Sequence, residues 1–244
     1  MTNDSMTKAL NVCLSPLLIP LYDVESHIVV IIDIFRATSS ICYGIENSAE
    51  AIIPVAEINE CIAYRDTQTH YLLAAERDGK VVEGFDFGNS PFSYTTEKVG
   101  GKTIVLTTTN GTQALHLSRK AKKIVIGSFL NLTALCNWLK VQQEDILLVC
   151  AGWKNNFNLE DTLFAGAVVH QLKDFDFRLD DAAIAANDLY EAGKTDINQY
   201  LKKTSHAERL KKLGIEKDIE FCLQVDLTTA IPILDGDRLV KLKN

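Results

Sequence analysis

Residues 28–40 read IVVIIDIFRATSS, an aliphatic run that is interrupted by Asp33 and continues into Arg36 and small hydroxyl side chains. A run that is apolar at nearly every position is typical of a strand buried on both faces, as in a parallel sheet covered by helices. Apolar residues take up helical spacing directly afterwards, over residues 37–45. The stretch therefore predicts a strand that ends at a carboxylate and leads into a helix, the repeating unit of an α/β fold.

The same alternation of strand and helix continues through the first two-thirds of the chain. Further apolar runs predict strands at residues 51–55, 71–75, 103–107, 123–127 and 146–150. Helical patterns separate these runs at residues 57–66, 111–120 and 132–141. We therefore expect an α/β fold in which helices cover both faces of a largely parallel or mixed central sheet.

The last third of the chain has a different character. Helices are predicted at residues 159–172, 180–192 and 205–213, so this part is helix-rich. Residues 219–225 fit either a strand or a helix, and the tail either adds a last strand to the sheet or packs over it. No linker or repeat divides the chain, and we expect a single domain over residues 1–244 with a disordered N-terminal tail at residues 1–10.

Composition narrows the class of protein. The 244 residues include 25 Lys+Arg and 32 Asp+Glu, a formal net charge of −7, and 47% are hydrophobic. This chain is too apolar for a disordered or fibrous protein. Its acidic balance argues against nucleic acid as a partner, because such binding relies on Lys and Arg. No apolar run suits a membrane span, no signal peptide is evident and the six cysteines are scattered. We therefore expect a cytoplasmic protein without a membrane partner, and self-association stays open.

Asp33 and Arg36 stand where open α/β sheets bind ligands, beyond the carboxyl end of a strand. A helix that starts directly afterwards would direct its first amides and the hydroxyls of Thr38 and Ser39 at the same crevice. The structural alternative is that Asp33 caps the helix and Arg36 is solvated. A phosphatase of the haloacid-dehalogenase type is set aside, because its second aspartate would have to stand at Phe35.

Residues 107–112 read TTTNGT and lie between a predicted strand and a predicted helix. Hydroxyls, a glycine and free amides in that position form an anion cradle without formal positive charge. The lysine of a Walker loop is absent. A Thr-rich strand that ends in an Asn-Gly turn is the structural alternative. The three threonines before Asn110 and Thr112 favour anion binding.

Two further segments place carboxylates at strand ends. Glu76 closes a predicted strand and begins the string ERDG, and the string GFDFGNSP follows at residues 84–91 with Asn89 and Ser90. Glu160 and Asp161 start a predicted helix just after the strand at residues 146–150. Acidic residues favour the first turn of any helix, so this last pair also has a purely structural explanation.

Carboxylates around an anion cradle would repel a phosphate unless a cation were present. Mg²⁺ suits such a site, because it binds oxygen ligands from one or two carboxylates and from a substrate phosphate. The histidines and cysteines are too dispersed to indicate a transition-metal site. His206 lies in a polar helix start and is the histidine expected to reach the site, whereas the others are expected to be structural.

The short motifs described above follow one another along the chain in an order that resembles the 2-phosphosulfolactate phosphatases. The resemblance covers about residues 28–225 and rests on the strings at residues 32–38, 76–79, 84–91, 108–112, 160–161 and 205–210. It implies a single three-layer α/β/α domain and a Mg²⁺-dependent acid phosphatase. The family's reaction hydrolyses (2R)-2-phospho-3-sulfolactate to (2R)-3-sulfolactate and phosphate, a step of coenzyme M biosynthesis in methanogens. The chain departs from the family pattern at the string WKNNF of residues 153–157 and at Ala74 and Ala75, which bears on the substrate pocket.

We therefore expect hydrolysis of a small anionic phosphorylated substrate with bound Mg²⁺. Asp33 and Glu76 are the first candidates for metal-binding or catalytic carboxylates, with Asp161 as the next metal ligand. Arg36 and Arg77 complete the catalytic candidates as planar donors to a carboxylate or sulfonate. Binding of the substrate and its phosphoryl group is assigned to Asn89, Ser90, Thr108, Thr109, Asn110, Gly111, Thr112 and His206.

Several alternatives stay open at this point. The nucleophile is either Asp33 or a metal-bound water, and the water is favoured. The unusual string at residues 153–157 would also fit a phosphatase for another small phosphorylated 2-hydroxy acid. A non-catalytic anion-binding protein is a third reading, but it has little use for the surplus of carboxylates at the strand ends.

Overall fold

The computed structural model describes residues 7–67, 70–77 and 79–243. Its central element is a mixed sheet of eleven strands. In chain order, the strands are β1 (Lys8–Cys13), β2 (His27–Ile32), β3 (Ala51–Pro54), β4 (Leu72–Arg77), β5 (Lys80–Val81), β6 (Thr103–Thr107), β7 (Lys123–Gly127), β8 (Asp145–Cys150), β9 (Phe177–Leu179), β10 (Pro232–Asp235) and β11 (Arg238–Lys241). The helices are α1 (Ala37–Glu46), α2 (Ile58–Thr67), α3 (Thr96–Val99), α4 (Gly111–Leu117), α5 (Leu132–Leu139), α6 (Leu159–Gln171), α7 (Asp181–Gly193), α8 (Ile197–Leu201), α9 (Ser205–Lys212) and α10 (Glu216–Cys222).

The sheet consists of two parallel blocks joined by a hairpin, in the order β5-β4-β6-β3-β11-β10-β7-β2-β8-β1-β9. One block contains β4, β6 and β3, and the other contains β7, β2, β8, β1 and β9. In the hairpin β10–β11, β10 runs antiparallel to β7 and β11 runs antiparallel to β3. The hairpin meets each block through one register pair, Leu239 with Ile52 and Ile233 with Val125. The expected α/β class with a mixed, largely parallel sheet is confirmed.

Strand β2 is buried at all six positions, which accounts for its continuous apolar sequence. Side chains alternate between the two faces of a strand. On one face, Val30 belongs to a hydrophobic cluster with Phe129 and Phe164, whereas on the other Ile31 packs in a cluster with Ile41 of α1. Helices therefore cover both faces of the sheet at this strand, as in a three-layer α/β/α arrangement.

Helix α1 links the two blocks of the sheet. It contacts β3, β7, β10 and β11, and its Ile41 shares one buried cluster with Ile31 of β2 and Leu106 of β6. The loops that follow β2 and β6 lie next to each other, as the approach of Gly111 to Asp33 shows. A Cβ atom built on Gly111 would lie 2.8 Å from Asp33 Oδ2, so the contact between these two loops requires a glycine.

The structure agrees with most of the predicted elements and adds several. The six predicted strands are present with ends shifted by at most two residues, and the ambiguous segment at residues 219–225 overlaps helix α10. The tail forms a two-stranded hairpin inside the sheet. Residues 8–10, expected in a disordered tail, lie in β1, whereas residues 1–6 are outside the described residues. That the whole chain forms a single domain stays a prediction. Within the described ranges, no helix has the length and apolar character needed to cross a membrane.

Helices α6 and α7 of the C-terminal third pack closely against each other. Gly166 of α6 is buried against Ala186 of α7, and a Cβ atom on Gly166 would lie 2.0 Å from the Ala186 carbonyl oxygen. No side chain fits at that distance, so the glycine sets the separation of the two helices.

We expect Gly166→Ala to lower the free energy of unfolding by about 1–3 kcal/mol, the usual cost of overpacking. Helix propensity alone predicts the opposite sign, since it favours Ala over Gly by about 1 kcal/mol. Urea denaturation measures the change. Asp188→Ala on the exposed side of α7 is the control and should stay within about 0.5 kcal/mol of the wild type. A Gly166→Ala protein more stable than the wild type would contradict the packing argument.

Candidate active site

The loops after β2, β4, β6 and β8 meet helix α9 around a cleft with an empty volume of about 360 Å³. Eight of the residues selected from the sequence line the cleft: Asp33, Arg36, Glu76, Asn89, Thr108, Thr109, Asn110 and His206. The remaining selected residues lie outside the lining: Arg77, Ser90, Gly111, Thr112 and Asp161.

Asp33 provides the most deeply buried carboxylate of the cleft wall and is 6% exposed. The start of α1 fixes its backbone, because Asp33 N–H donates to Thr38 Oγ1 and the Asp33 carbonyl accepts from Thr38 N–H, each at 3.0 Å. Burial, together with the charges of Glu76 and Glu160, raises the pKa of Asp33 to about 7. The group therefore titrates near neutral pH rather than in the usual carboxyl range.

Asp161 lies behind the cleft. Its Oδ1 accepts from Ile34 N–H at 2.8 Å, and its Oδ2 accepts from Gly152 N–H at 3.0 Å and from Asn158 Nδ2 at 2.9 Å. These bonds hold the loop after β2 beside the loop after β8. Burial, and then neighbouring carboxylate charges, hold the pKa of Asp161 well above its usual range. Selected from the sequence as a metal ligand, Asp161 here positions the backbone next to Asp33.

The turn after β4 brings Glu76 to the cleft and leaves Arg77 outside its lining. Glu76 Oε1 accepts from Gly79 N–H, and Gly79 has a φ of +85°, which favours glycine. Arg77 donates to the Glu76 carbonyl at 2.8 Å and to Thr107 Oγ1 at 3.2 Å. Arg77 therefore braces this turn against β6. Asp78, in the same string, lies outside the described residues.

In the segment after β6, several donors and acceptors form hydrogen bonds within the segment itself. Thr112 Oγ1 donates to the Thr108 carbonyl at 2.8 Å, and Thr108 Oγ1 accepts from Thr112 N–H at 3.4 Å. Gly111 N–H donates to the Asp33 carboxylate. Thr109 is exposed at the cleft. Of the anion cradle predicted here, Gly111 and Thr112 hold the loop in shape, and the residues before them face the cleft.

Asn110 joins this segment to the turn after β8. Its Oδ1 accepts from Lys154 N–H at 3.0 Å. In that turn, Trp153 and Asn156 exchange two backbone hydrogen bonds of 3.0 Å, and the two residues between them have positive φ. The turn carries the string WKNNF, and its Trp153 lines the cleft.

Arg36 lines the cleft from the start of α1 but already has an acidic partner. It forms a buried ion pair with Asp218 of α10, and its Nη2 donates to the Gly79 carbonyl at 3.3 Å. A buried charge needs such a partner, because an unpaired one is costly. Asp218 is 182 residues away in the chain, so no local pattern indicates the pair.

His206 is held between Glu160 and Arg209. Its Nδ1 bonds to Glu160 Oε1, and its Nε2 lies 2.9 Å from Arg209 Nη2. Because arginine can only donate, we infer that Nε2 accepts and that Nδ1 carries the proton. The imidazole stacks on Trp153 with the ring centroids 6.2 Å apart.

Oxygen ligands for a cation are present at this cleft. Asp33, Glu76 and Asn89 line it, and the buried Oδ1 of Asn89 has no donor among the described residues. In the part of the chain that the structure describes, no three His, Cys, Asp or Glu side chains form a metal site by themselves. Ser90, next to Asn89, does not line the cleft.

The interpretation of the sequence missed five of the residues that line the cleft: Phe35, Gly79, Trp153, Arg209 and Leu210. A signal for Arg209 is present, because it follows His206 by three residues on a predicted helix and therefore shares its face. The string around Trp153 stands out only as a departure from the family pattern.

The chain matches the family model of 2-phosphosulpholactate phosphatase over residues 13–237. A relative from Thermotoga petrophila, called a probable 2-phosphosulfolactate phosphatase, is 47% identical over 88% of this chain and 92% of its own length. Relatives with the same name are 41% identical in Caldanaerobacter subterraneus, over 87% of this chain and 89% of the relative, and 36% identical in Clostridium novyi, over 89% and 93%. The matched region includes every residue that lines the cleft. The chain belongs to the 2-phosphosulfolactate phosphatase family, as its motifs predict.

Proposed function

We propose that the protein hydrolyses the phosphate monoester (2R)-2-phospho-3-sulfolactate to (2R)-3-sulfolactate and phosphate, with Mg²⁺ as its cofactor. The names of the relatives point to this substrate. The observation that carries the proposal is the buried Asp33 carboxylate, in a cleft that it shares with Glu76 and two arginines. Carboxylates beside planar cations suit a metal ion together with a substrate that has several anionic groups.

Charge balance supports the metal. The proposed substrate carries a phosphate, a carboxylate and a sulfonate, and the ionised forms of Asp33 and Glu76 would repel all three. A divalent cation between these two carboxylates would neutralise them and lower the pKa of Asp33. Two carboxylates are enough, because Mg²⁺ completes its shell with waters and substrate oxygens. When bound, the metal would stabilise charge on the transferring phosphoryl group and activate an attacking water.

The chain's own residues would bind and orient the substrate. Thr109 and Asn110, which line the cleft together with Asp33, would contact the phosphoryl oxygens. Arg36 keeps N–H groups for an anionic oxygen beyond those given to Asp218 and Gly79. Donors that are held in place stabilise developing charge without reorganising, which is the main source of catalysis in phosphoryl transfer.

Two other functions are compatible with this cleft, and one set of assays separates them from the proposal. The turn with Trp153 would also fit a phosphatase for another phosphorylated 2-hydroxy acid, and equal turnover of a panel of such acids would contradict a preference for the sulfonate. A non-catalytic anion-binding protein would bind inorganic phosphate but release none from any monoester. Release that is unaffected by a chelator would contradict the role of Mg²⁺.

We expect Asp33→Asn to reduce Mg²⁺-dependent phosphate release from 2-phosphosulfolactate by at least about 100-fold, because it removes a charged group at the reacting centre. The measurement is phosphate release with Mg²⁺ and with EDTA. Circular dichroism checks that the variant is folded. Asp188→Asn, on the exposed side of α7, makes the same chemical change away from the cleft and should be fully active. Full activity of the Asp33→Asn protein would overturn the assignment.

A second prediction concerns stability in EDTA. The pKa of Asp33 is raised from its ordinary 3.8 to about 7 in the folded protein. Between those pH values the folded state binds a proton that the unfolded state has released, so stability falls as the pH rises through this window. Asp33→Asn removes that penalty. We expect the variant to be more stable than the wild type at pH 8, by on the order of 1–4 kcal/mol, with a smaller difference at pH 5.

Urea denaturation at the two pH values measures this difference. Added Mg²⁺ should stabilise the wild type and have less effect on Asp33→Asn, because the variant lacks a ligand charge. An Asp33→Asn protein that is less stable than the wild type at pH 8 would show that the Asp33 carboxylate is not under electrostatic strain.

A further inference from the structure

Arg209 is the cation of the cleft wall that has no acidic partner among the described residues. The other arginine in the wall, Arg36, forms a buried ion pair with Asp218. Arg77 lies outside the lining and donates to a carbonyl and a hydroxyl. The positive charge of Arg209 is therefore the one that a bound anion would meet without displacing a carboxylate.

The guanidinium of Arg209 is held in place by neutral groups. Its Nη2 donates to His206 Nε2 at 2.9 Å, and its Cζ lies 4.9 Å from the centroid of the Trp153 ring. Both contacts orient the planar group but leave its charge uncompensated, since one partner is a neutral imidazole acceptor and the other an aromatic face. A guanidinium held in this way loses little freedom when it binds an anion.

One donor of Arg209 is left over. Its Nε–H is buried and has no acceptor among the described residues. A buried donor without an acceptor is unfavourable, and a ligand oxygen would relieve it. His206 in turn is fixed by the buried Glu160, so a row of side chains sets the position of the guanidinium in the cleft that Asp33 also lines.

We propose that Arg209 binds an anionic group of the substrate that is not transferred, its carboxylate or its sulfonate, and thereby selects substrates with a second anion. This inference rests on the proposed phosphatase function and names the residue that binds the part of the substrate that is not transferred. A guanidinium is suited to either group, because its parallel N–H donors match two oxygens of a carboxylate or sulfonate.

Lys154 is the other cation near this wall, and it fits the role less well. Its Nζ lies 4.9 Å from the centroid of the Trp153 ring. However, the side chain is exposed and does not line the cleft. A solvated ammonium contributes little to binding compared with a partly buried, oriented guanidinium.

The test compares Arg209→Met, Arg209→Lys and a control, Lys211→Met, which removes the same charge from an exposed position of the same helix. Three phosphate esters are assayed with Mg²⁺: 2-phosphosulfolactate, 2-phospholactate without the sulfonate, and phosphorylated isethionate without the carboxylate. We expect Arg209→Met to lower kcat/KM for 2-phosphosulfolactate by about 30-fold or more, the usual effect of losing one partner of a buried charged pair. The loss should be much smaller for the analogue that lacks the group bound by Arg209, which identifies that group.

Arg209→Lys should fall between the wild type and Arg209→Met, and Lys211→Met should behave as the wild type. Equal losses on all three esters would overturn the inference, because they would indicate that Arg209 only supports His206. No loss on 2-phosphosulfolactate would overturn it as well. Calorimetric titration with 3-sulfolactate provides a readout without hydrolysis, and Arg209→Met should weaken this binding by a similar factor. If the wild type releases no phosphate, the proposed function fails, and the titration alone then decides the inference about Arg209.

Discussion

The hydrogen bonds of one buried carboxylate hold the rest of the cleft together. Asp161 accepts from the backbone of Ile34 and of Gly152, so it fixes the loops after two neighbouring strands against each other. A carboxylate can be fully buried only if such donors replace its lost water. Asp33 and Trp153 are each one residue away from these donors, so this side chain helps to set the positions of both.

The net charge of the protein and the charges inside the cleft have different consequences for ligand binding. The formal net charge of −7 argues against a broad electrostatic attraction for anions. Within the cleft, however, the charge of Glu76 lies close enough to contribute to the raised pKa of Asp33. A phosphatase with this arrangement would attract its anionic substrate only after it has bound its metal. The arrangement of charges in the cleft, rather than the net charge of the protein, then decides which ligands enter.

The sequence predicts those parts of the structure that depend on neighbouring residues. Strand β2 and the turn into α1 were predictable, because a continuous apolar run followed by Asp33 has one favourable environment in an α/β sheet. The hairpin β10–β11 was not, since four-residue strands joined to their neighbours by single register pairs are specified by tertiary packing. The same distinction holds in the site: Asp33 was identified from its own segment, whereas the pairing of Arg36 with Asp218 depends on a distant helix.

The place of that hairpin in the sheet also constrains how the protein is made. β10 and β11 follow every other described element in the chain, yet they occupy the middle of the sheet. On the ribosome, where chains emerge from the N-terminus, β3 and β7 lack the two strands that lie between them in the sheet until the hairpin has left the exit tunnel. During that interval, the facing edges of β3 and β7 offer unpaired backbone groups, which chaperones or the blocks' own side chains must shield from other nascent chains.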